Sequence, residues 1–265
     1  MVDSLVDERA QAFELPGERG AVLCLHGFTG SPYEFRPLAQ YLSDAGYAVR
    51  VPRLAGHGET PAHLALLRWE DWLSSARRAF DGMAEDHDKI LIIGHSMGAM
   101  IAIVLGQERG ERVNGIVAMS TPLVLDFVSQ TALSVIRKLP FKAMLPDAMK
   151  KDGPDVSDPA VAAAMPSYDR MPLAAASSLL DGQEAARDRA SRLSVPVLIQ
   201  HGRHDHTAPA RNAGLLYKLL KTPRRRQILY PRSWHILPLD VEHEAVNRDV
   251  LDFVNGCVED TSPQK

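Results

Sequence analysis

The fold is decided by the stretch Lys89-Ile90-Leu91-Ile92-Ile93-Gly94-His95-Ser96-Met97-Gly98. Its apolar first half is typical of a buried strand, and the helix-like segment after Gly98 places a G-x-S-x-G motif at a sharp strand-to-helix turn. Such a turn needs glycine on both sides of the serine, because a Cβ there would collide as strand and helix close together. We therefore predict that Ser96 projects into a cleft as a nucleophile. The alternative is a tight turn whose serine only caps the helix.

A nucleophilic serine requires two partners. Its hydroxyl reacts poorly near neutral pH, so it needs a base within hydrogen-bond reach and an acid that orients this base. Asp205 follows the strand-like run 195–200, and His235 follows the run 226–230 just before the last predicted helix. We predict that Ser96, Asp205 and His235 are the nucleophile, the acid and the base, in the order in which this architecture supplies them.

Other residues compete for these roles, since the chain has 10 histidines. His95 is adjacent to Ser96, and neighbouring side chains on an extended segment point to opposite faces. The loop 201–206 holds three histidines, but no fourth ligand at a suitable spacing and no cysteine accompanies them. We therefore predict a polar loop and no metal. Asp126, which follows another predicted strand, is the alternative acid.

Two backbone N–H groups would complete such a site, because they stabilise the oxyanion that forms when a carbonyl is attacked. The first is that of Met97, at a helix N-terminus where free donors and the helix dipole both favour an anion. The second is that of Phe28, in the glycine-rich loop 26–30 after the predicted strand 21–25. An ordinary strand-to-helix turn is the alternative for this loop.

Several motifs occur in one order along the chain. They are His26-Gly27-Phe28-Thr29-Gly30, Gly56-His57-Gly58, Trp69 with Trp72, Gly94 to Gly98, His201-Gly202 with Asp205, and Ser233-Trp234-His235. Together they resemble the α/β-hydrolase superfamily, and within it the small bacterial carboxylesterases and monoacylglycerol lipases, over residues 20–253. This resemblance implies the same catalytic and oxyanion residues and no metal or organic cofactor. Ala99 and Trp234 depart from the family pattern and leave the shape of the substrate open.

Strand-like and helix-like segments alternate, which predicts an α/β fold with a mostly parallel sheet and helices on both faces. Predicted strands cover 21–25, 47–52, 89–93, 115–119, 195–200 and 226–230, with an edge strand at 11–15. Predicted helices cover 32–45, 69–83, 97–107, 209–220 and 241–257. The candidate catalytic residues then lie at the carboxyl ends of strands, where open α/β sheets bind ligands.

The interval 121–194 is too long for a simple crossover. We predict an α/β-hydrolase core of residues 1–120 and 195–265, and a cap inserted at 121–194, between the sixth and seventh strands of the fold. The first half of the cap carries apolar side chains at helix-like spacing. As substrate-pocket residues we name Val128, Ile136, Leu139, Met144 and Trp234. Packing of the cap onto the core is an equal alternative for any one of the apolar cap residues, and contact with a lipid surface is another alternative for this segment.

The composition of the chain limits the classes of partner that it is expected to bind. The net charge of −3 provides no electrostatic surface for nucleic acid. The acidic segment 1–8 has no apolar stretch and predicts neither secretion nor stable membrane insertion, which leaves the cytoplasm. Cys24 and Cys257 are expected to be reduced thiols. We expect a monomer or homodimer whose partner is a small-molecule ester.

These observations predict a serine carboxylic ester hydrolase that acts through an acyl-enzyme on small to medium acyl esters, fatty acid esters and monoacylglycerols included. The same triad serves peptidases, perhydrolases and carbon–carbon hydrolases, which are the alternatives within this class. A ligand-binding receptor that keeps the fold without turnover is the alternative outside it.

Overall fold

A computed structural model of the protein describes residues 7–138, 148–151 and 153–259. Its strands are β1 (Phe13–Leu15), β2 (Ala21–Leu25), β3 (Ala48–Val51), β4 (Ile90–His95), β5 (Val113–Met119), β6 (Ala148–Lys150), β7 (Arg170–Pro172), β8 (Val197–Gly202) and β9 (Arg225–Tyr230). Seven of them form one sheet in the order β1-β3-β2-β4-β5-β8-β9. Only β1 is antiparallel to its neighbour within this sheet, and β6 pairs with β7 separately.

The helices are α1 (Arg36–Asp44), α2 (Pro61–Leu66), α3 (Trp69–Met83), α4 (Met97–Arg109), α5 (Phe127–Lys138), α6 (Pro159–Ala164), α7 (Leu173–Ala190), α8 (Arg211–Leu219) and α9 (His243–Glu259). Alternate side chains of the central strands enter two different cores, because successive residues of a strand point to opposite faces. Leu23 and Ile92 pack with residues of α3, α4, α7 and α8, whereas Val22 and Ile93 pack with residues of α1 and α9. The sheet thus has helices on both faces, which confirms the predicted fold class.

The central strands are buried on both faces and consist of apolar residues, as parallel strands covered by helices do. Every residue of β2 and of β4 is buried. Residues 97–106 of α4 are also buried, because this helix lies between the sheet and the helices α3 and α7. The turn at Ser96 is therefore held between a buried strand and a buried helix.

Several boundaries differ from the predicted ones. The predicted helix 32–45 is a 3-10 turn (Pro32–Phe35) followed by α1, in which Pro37 occupies the first turn, a position that suits proline. Pro209 precedes α8, which begins at Arg211 and not at the predicted 209. The strand before Ser96 runs on to His95, two residues beyond the predicted end.

The helix α7 is the main element that the sequence did not reveal. It lies within the interval 121–194, yet it packs against α4, and its Ala186 and Ala190 belong to the core on that face of the sheet. Gly182 lies so close to the ring of Trp69 that a Cβ there would collide with it. The division into core and cap stays a prediction, with α7 attached to the core side. Within the described part of the chain, no helix has the length and hydropathy needed to cross a bilayer.

Candidate active site

Ser96 occupies a strained turn between β4 and α4. Its backbone angles are φ 53° and ψ −116°, a conformation that costs a residue with a side chain about 1–3 kcal/mol. A Cβ on Gly94 would collide with the carbonyl of Gly98, and a Cβ on Gly98 would collide with the carbonyl of Leu25. Both glycines of the motif are therefore required by the close approach of α4 to β4 and β2.

The predicted acid and base are hydrogen-bonded to each other. Nδ1 of His235 donates to Oδ2 of Asp205 at 2.7 Å, and Nε2 of His201 lies 3.0 Å from the same oxygen. The second oxygen, Oδ1, accepts from the N–H groups of Thr207 at 2.9 Å and Ala208 at 2.6 Å. Asp205 thus has a donor on each oxygen and fixes the ring of His235 with its Nε2 left to accept a proton.

Asp205 is held as a carboxylate. Burial alone would raise its pKa, but the charge of His235 and the hydrogen bonds from His201 and His235 outweigh burial and hold the pKa well below its usual range. The acid is therefore ionised throughout the neutral pH range, where it can stabilise a positive charge on the imidazole.

Ser96 and His235 line the same cavity, whose volume is about 430 Å³. Of the other predicted site residues, Phe28, Val128 and Ile136 also line it. Trp234 is not among the described lining residues, and its ring packs edge-on against His206 with 4.6 Å between the ring centres. Leu139 and Met144 lie outside the described residues.

Both apolar and polar side chains line this cavity. Helices α5 and α7 contribute Leu133, Ile136, Leu173, Ala176 and Leu179. The loops contribute Thr29, Lys151, Asp155, His206 and Thr207. The two helices also supply Ser129 and Gln183, and the loops also supply Phe28, Leu125 and Met165. A molecule in the cavity would therefore meet apolar side chains from the helices and the loops, with polar groups among them.

Glu34 is a site residue that sequence reasoning missed. Its Oε2 accepts from the N–H of Gly27 at 3.1 Å and from Nδ1 of His95 at 2.8 Å. Burial would raise the pKa of Glu34, but the charge and hydrogen bond of His95 lower it to about 2. For His95, burial would lower the pKa, and the Glu34 carboxylate raises it instead. The only local signal was an acidic residue between Tyr33 and Phe35, directly after the loop 26–30.

The two residues that competed for the catalytic roles, Asp126 and His95, have other hydrogen-bond partners. One oxygen of Asp126 accepts from the N–H groups of Val128 and Ser129 at the start of α5, so this residue caps a helix. His95 contacts Glu34, and its Nε2 lies 3.0 Å from the backbone oxygen of His235. Both residues therefore have structural partners, and the carboxylate bonded to His235 is that of Asp205.

Potential metal-ligand atoms of Asp155, Asp205 and His235 lie within 4.8 Å of one another, which is close enough for them to share a cation. Nδ1 of His235 and Oδ2 of Asp205 already share a hydrogen bond. The oxygens of Asp155 accept from the N–H and Nδ1 of His206 and from the hydroxyl of Thr207. Since donors already satisfy these acceptors, the cluster fits a hydrogen-bond network better than a metal site.

A family model described as serine aminopeptidase, S33 (Hydrolase_4) matches residues 16–242. The chain belongs to this family. Among its relatives, a carboxylesterase of Bacillus subtilis (strain 168) is 27% identical over 247 residues, which cover 91% of this chain and 95% of the relative. A thermostable monoacylglycerol lipase of Bacillus sp. (strain H-257) is 25% identical over 232 residues, covering 88% of this chain and 89% of the relative.

Solved structures of similar fold also match this chain. One from a study of LipS and LipT, two metagenome-derived lipolytic enzymes, has a TM-score of 0.88 at 29% identity and covers 95% of this chain and 99% of its own. The monoacylglycerol lipase of Paleococcus ferrophilus has a TM-score of 0.76 at 19% identity, covering 94% and 99%, and supports the fold alone. The α/β-hydrolase fold is therefore confirmed.

The family is described by an aminopeptidase, whereas the two relatives are named for ester hydrolysis. The prediction of a serine ester hydrolase is confirmed at the level of family and reaction class. The roles of individual residues stay predictions.

Proposed function

We propose that the protein hydrolyses carboxylic esters through an acyl-enzyme on Ser96. The observation that carries this proposal is the 2.7 Å hydrogen bond from His235 to Asp205, beside a cavity that His235 shares with a serine in a strained nucleophile turn. Oγ of Ser96 attacks the ester carbon while Nε2 of His235 takes its proton, and the charge of Asp205 stabilises the imidazolium.

In each of the two half-reactions, His235 takes up one proton and then releases it. When the tetrahedral intermediate collapses, the bond from the carbonyl carbon to the alkoxy oxygen breaks and His235 returns its proton to the leaving alcohol. A water molecule then attacks the acyl-enzyme and gives a proton to His235, which passes it to Oγ of Ser96 as the acid leaves. The proton transfers of this cycle use only water, the leaving alcohol and the side chains of Ser96 and His235.

The oxyanion is placed against the backbone N–H groups of Phe28 and Met97. Met97 is the first residue of α4, where the helix dipole favours a negative charge. Phe28 lines the cavity in the loop after β2, and the ring of Phe28 packs against Trp72 with 5.3 Å between ring centres. Loss of one such donor typically costs about a hundredfold to a thousandfold in turnover.

Small to medium acyl esters, fatty acid esters and monoacylglycerols among them, are the proposed substrates. The apolar walls from α5 and α7 support this class, because they would bury an acyl chain. The carboxylesterase and monoacylglycerol lipase relatives support it as well.

The proposal is tested with Ser96→Ala and the matched variant Ser129→Ala, a second serine that lines the same cavity. We expect Ser96→Ala to abolish hydrolysis of p-nitrophenyl butyrate at unchanged thermal stability, and Ser129→Ala to remain active. A fluorophosphonate should add its mass to the peptide that contains Ser96. Full activity of Ser96→Ala, or labelling elsewhere, would remove this serine from the mechanism. A single turnover per molecule would favour the receptor alternative.

The proposal extends to the cellular location and the oligomeric state of the protein. We propose a cytoplasmic protein, supported by two buried free cysteines, Cys24 and Cys257, as reduced thiols are usual there. Monomer or homodimer stays a prediction, and light scattering coupled to size-exclusion chromatography distinguishes the two. Detection in a periplasmic or secreted fraction would contradict the location.

A further inference from the structure

Lys151 places a positive charge in the cavity of the proposed nucleophile. It directly follows β6 and lines the same cavity as Ser96 and His235. Its Nζ donates a 2.7 Å hydrogen bond to the hydroxyl of Thr29. Thr29 is 5% exposed and has a left-handed backbone with φ 61°, and it follows Phe28 in the loop 26–30. The ammonium is therefore anchored at the edge of the proposed oxyanion loop.

This charge has no ion-pair partner among the residues that the structure describes: none of their carboxylates lies within 4.0 Å of Nζ. Glu34 acts on it electrostatically, but that carboxylate is already paired with His95 at 2.8 Å. Burial lowers the pKa of Lys151, and Glu34 offsets only part of this effect. Lys151 is half-buried. An ammonium partly removed from water without a close counter-charge is costly, and an anionic ligand would offset that cost.

The surroundings single out this residue. Of the described residues that line the cavity, Lys151 is the only lysine or arginine. Three described carboxylates also line the cavity, and each already has donors. Glu34 is bonded to His95, Asp126 accepts from backbone N–H groups of α5, and Asp155 is engaged by His206 and Thr207. An anionic oxygen that enters the cavity can therefore gain a charge-assisted hydrogen bond from Lys151 and a second contact from the hydroxyl of Thr29.

We propose that Lys151, together with Thr29, binds an anionic oxygen group of the substrate, so that the enzyme prefers esters that also carry a carboxylate or a phosphate. The inference rests on the proposed ester hydrolysis at Ser96 and names the substrate class of that site. The anionic group could belong to the acyl portion, as in a half-ester of a dicarboxylic acid, or to the alcohol portion, as in an acylglycerol phosphate. One chemistry serves both cases.

The experiment compares two matched substrate pairs. For the acyl portion, the p-nitrophenyl half-ester of glutaric acid is compared with its neutral terminal amide. For the alcohol portion, 1-butanoylglycerol 3-phosphate is compared with 1-butanoylglycerol. The value of kcat/KM is measured for the unaltered protein, for Lys151→Met and for Lys150→Met. Lys150 is the adjacent, exposed lysine and serves as the matched control.

We expect the ratio of the anionic to the neutral rate to fall roughly tenfold or more in Lys151→Met, the size of a lost charge-assisted hydrogen bond. Lys150→Met should keep the original ratio. The pair in which the ratio falls shows which portion carries the anion. If the ratio is unchanged in both pairs, or if both members fall equally, Lys151 only secures the loop and the proposal is overturned.

Two further readouts separate the possible failures. Lys151→Arg keeps the charge and should retain most of the preference for anionic esters. If Lys151 served packing alone, the Arg and Met variants would show the same ratio of the anionic to the neutral rate. Absence of Ser96-dependent hydrolysis of the neutral esters would contradict the proposed function itself. Hydrolysis of neutral esters without any charge preference would contradict the role of Lys151 alone.

Discussion

The carboxylate of Glu34 lies 2.8 Å from Nδ1 of His95, and both side chains are almost fully buried. A backbone carbonyl can only accept, so Nε2 of His95 must carry a hydrogen to bond the oxygen of His235 at 3.0 Å. Because Glu34 also accepts from the N–H of Gly27, the pair connects three segments. They are the proposed oxyanion loop, the strand before Ser96 and the segment that carries the proposed base.

The first prediction concerns Glu34→Gln. The pKa of Glu34 is depressed to about 2 in the folded protein. The stability that this carboxylate contributes is therefore fully present above the pKa of Glu34 in the unfolded chain, and it is lost as the pH falls towards 2. Breaking one side of a buried pair typically costs about 3–5 kcal/mol. We expect urea unfolding of Glu34→Gln to show a loss of this order in the free energy of unfolding at pH 7. The difference in this free energy between the variant and the unaltered protein should narrow as the pH falls below about 4.

A matched control for this variant is Glu14→Gln, since Glu14 is exposed and pairs with Arg50 at the surface. It should change the free energy of unfolding by less than about 1 kcal/mol. A stability loss in Glu34→Gln that stays constant from pH 7 to pH 2 would show that the charge of Glu34 is not what stabilises the fold.

The second prediction distinguishes the two candidate acids. In Asp205→Asn the ring of His235 loses the charge that stabilises its positive form, and we expect kcat for p-nitrophenyl butyrate to fall about 10⁴-fold, the loss known for the equivalent change in a serine protease. Asp126→Asn should remain close to the original kcat, because that carboxylate lines the cavity but is bonded to the start of α5 and not to His235. The opposite ranking of the two variants would reassign the acid.

Much of this site could be read from sequence, because its parts carry local signals. The apolar runs of β2 and β4 have the composition of buried parallel strands, and the two glycines around Ser96 mark its turn. Asp205 and His235 follow strands, and the sheet brings them together. Each of these inferences needs only a short window of sequence.

The residues that sequence did not reveal act through distant partners. Glu34 and His95 are 61 positions apart, and Lys151 and Thr29 are 122 apart, so nothing in the neighbouring sequence marks either pair. Helix α7 was missed for a different reason. It is rich in alanine and serine and is buried on much of its circumference, so it lacks the apolar stripe by which a surface helix is recognised.

The last prediction concerns the wall formed by α7. Ala176 is 1% exposed and lines the cavity near Leu133 of α5, so Ala176→Leu would fill space that an acyl chain needs. We expect the kcat/KM for p-nitrophenyl decanoate to fall at least about tenfold relative to that for the acetate, since roughly 0.8 kcal/mol is lost for each CH₂ that is no longer buried. Ala174→Leu, on the same helix but not among the described lining residues, is the control and should keep the original chain-length profile. An equal loss on acetate and decanoate would mean that the acyl chain lies elsewhere, and that the apolar surface from α5 and α7 serves packing alone.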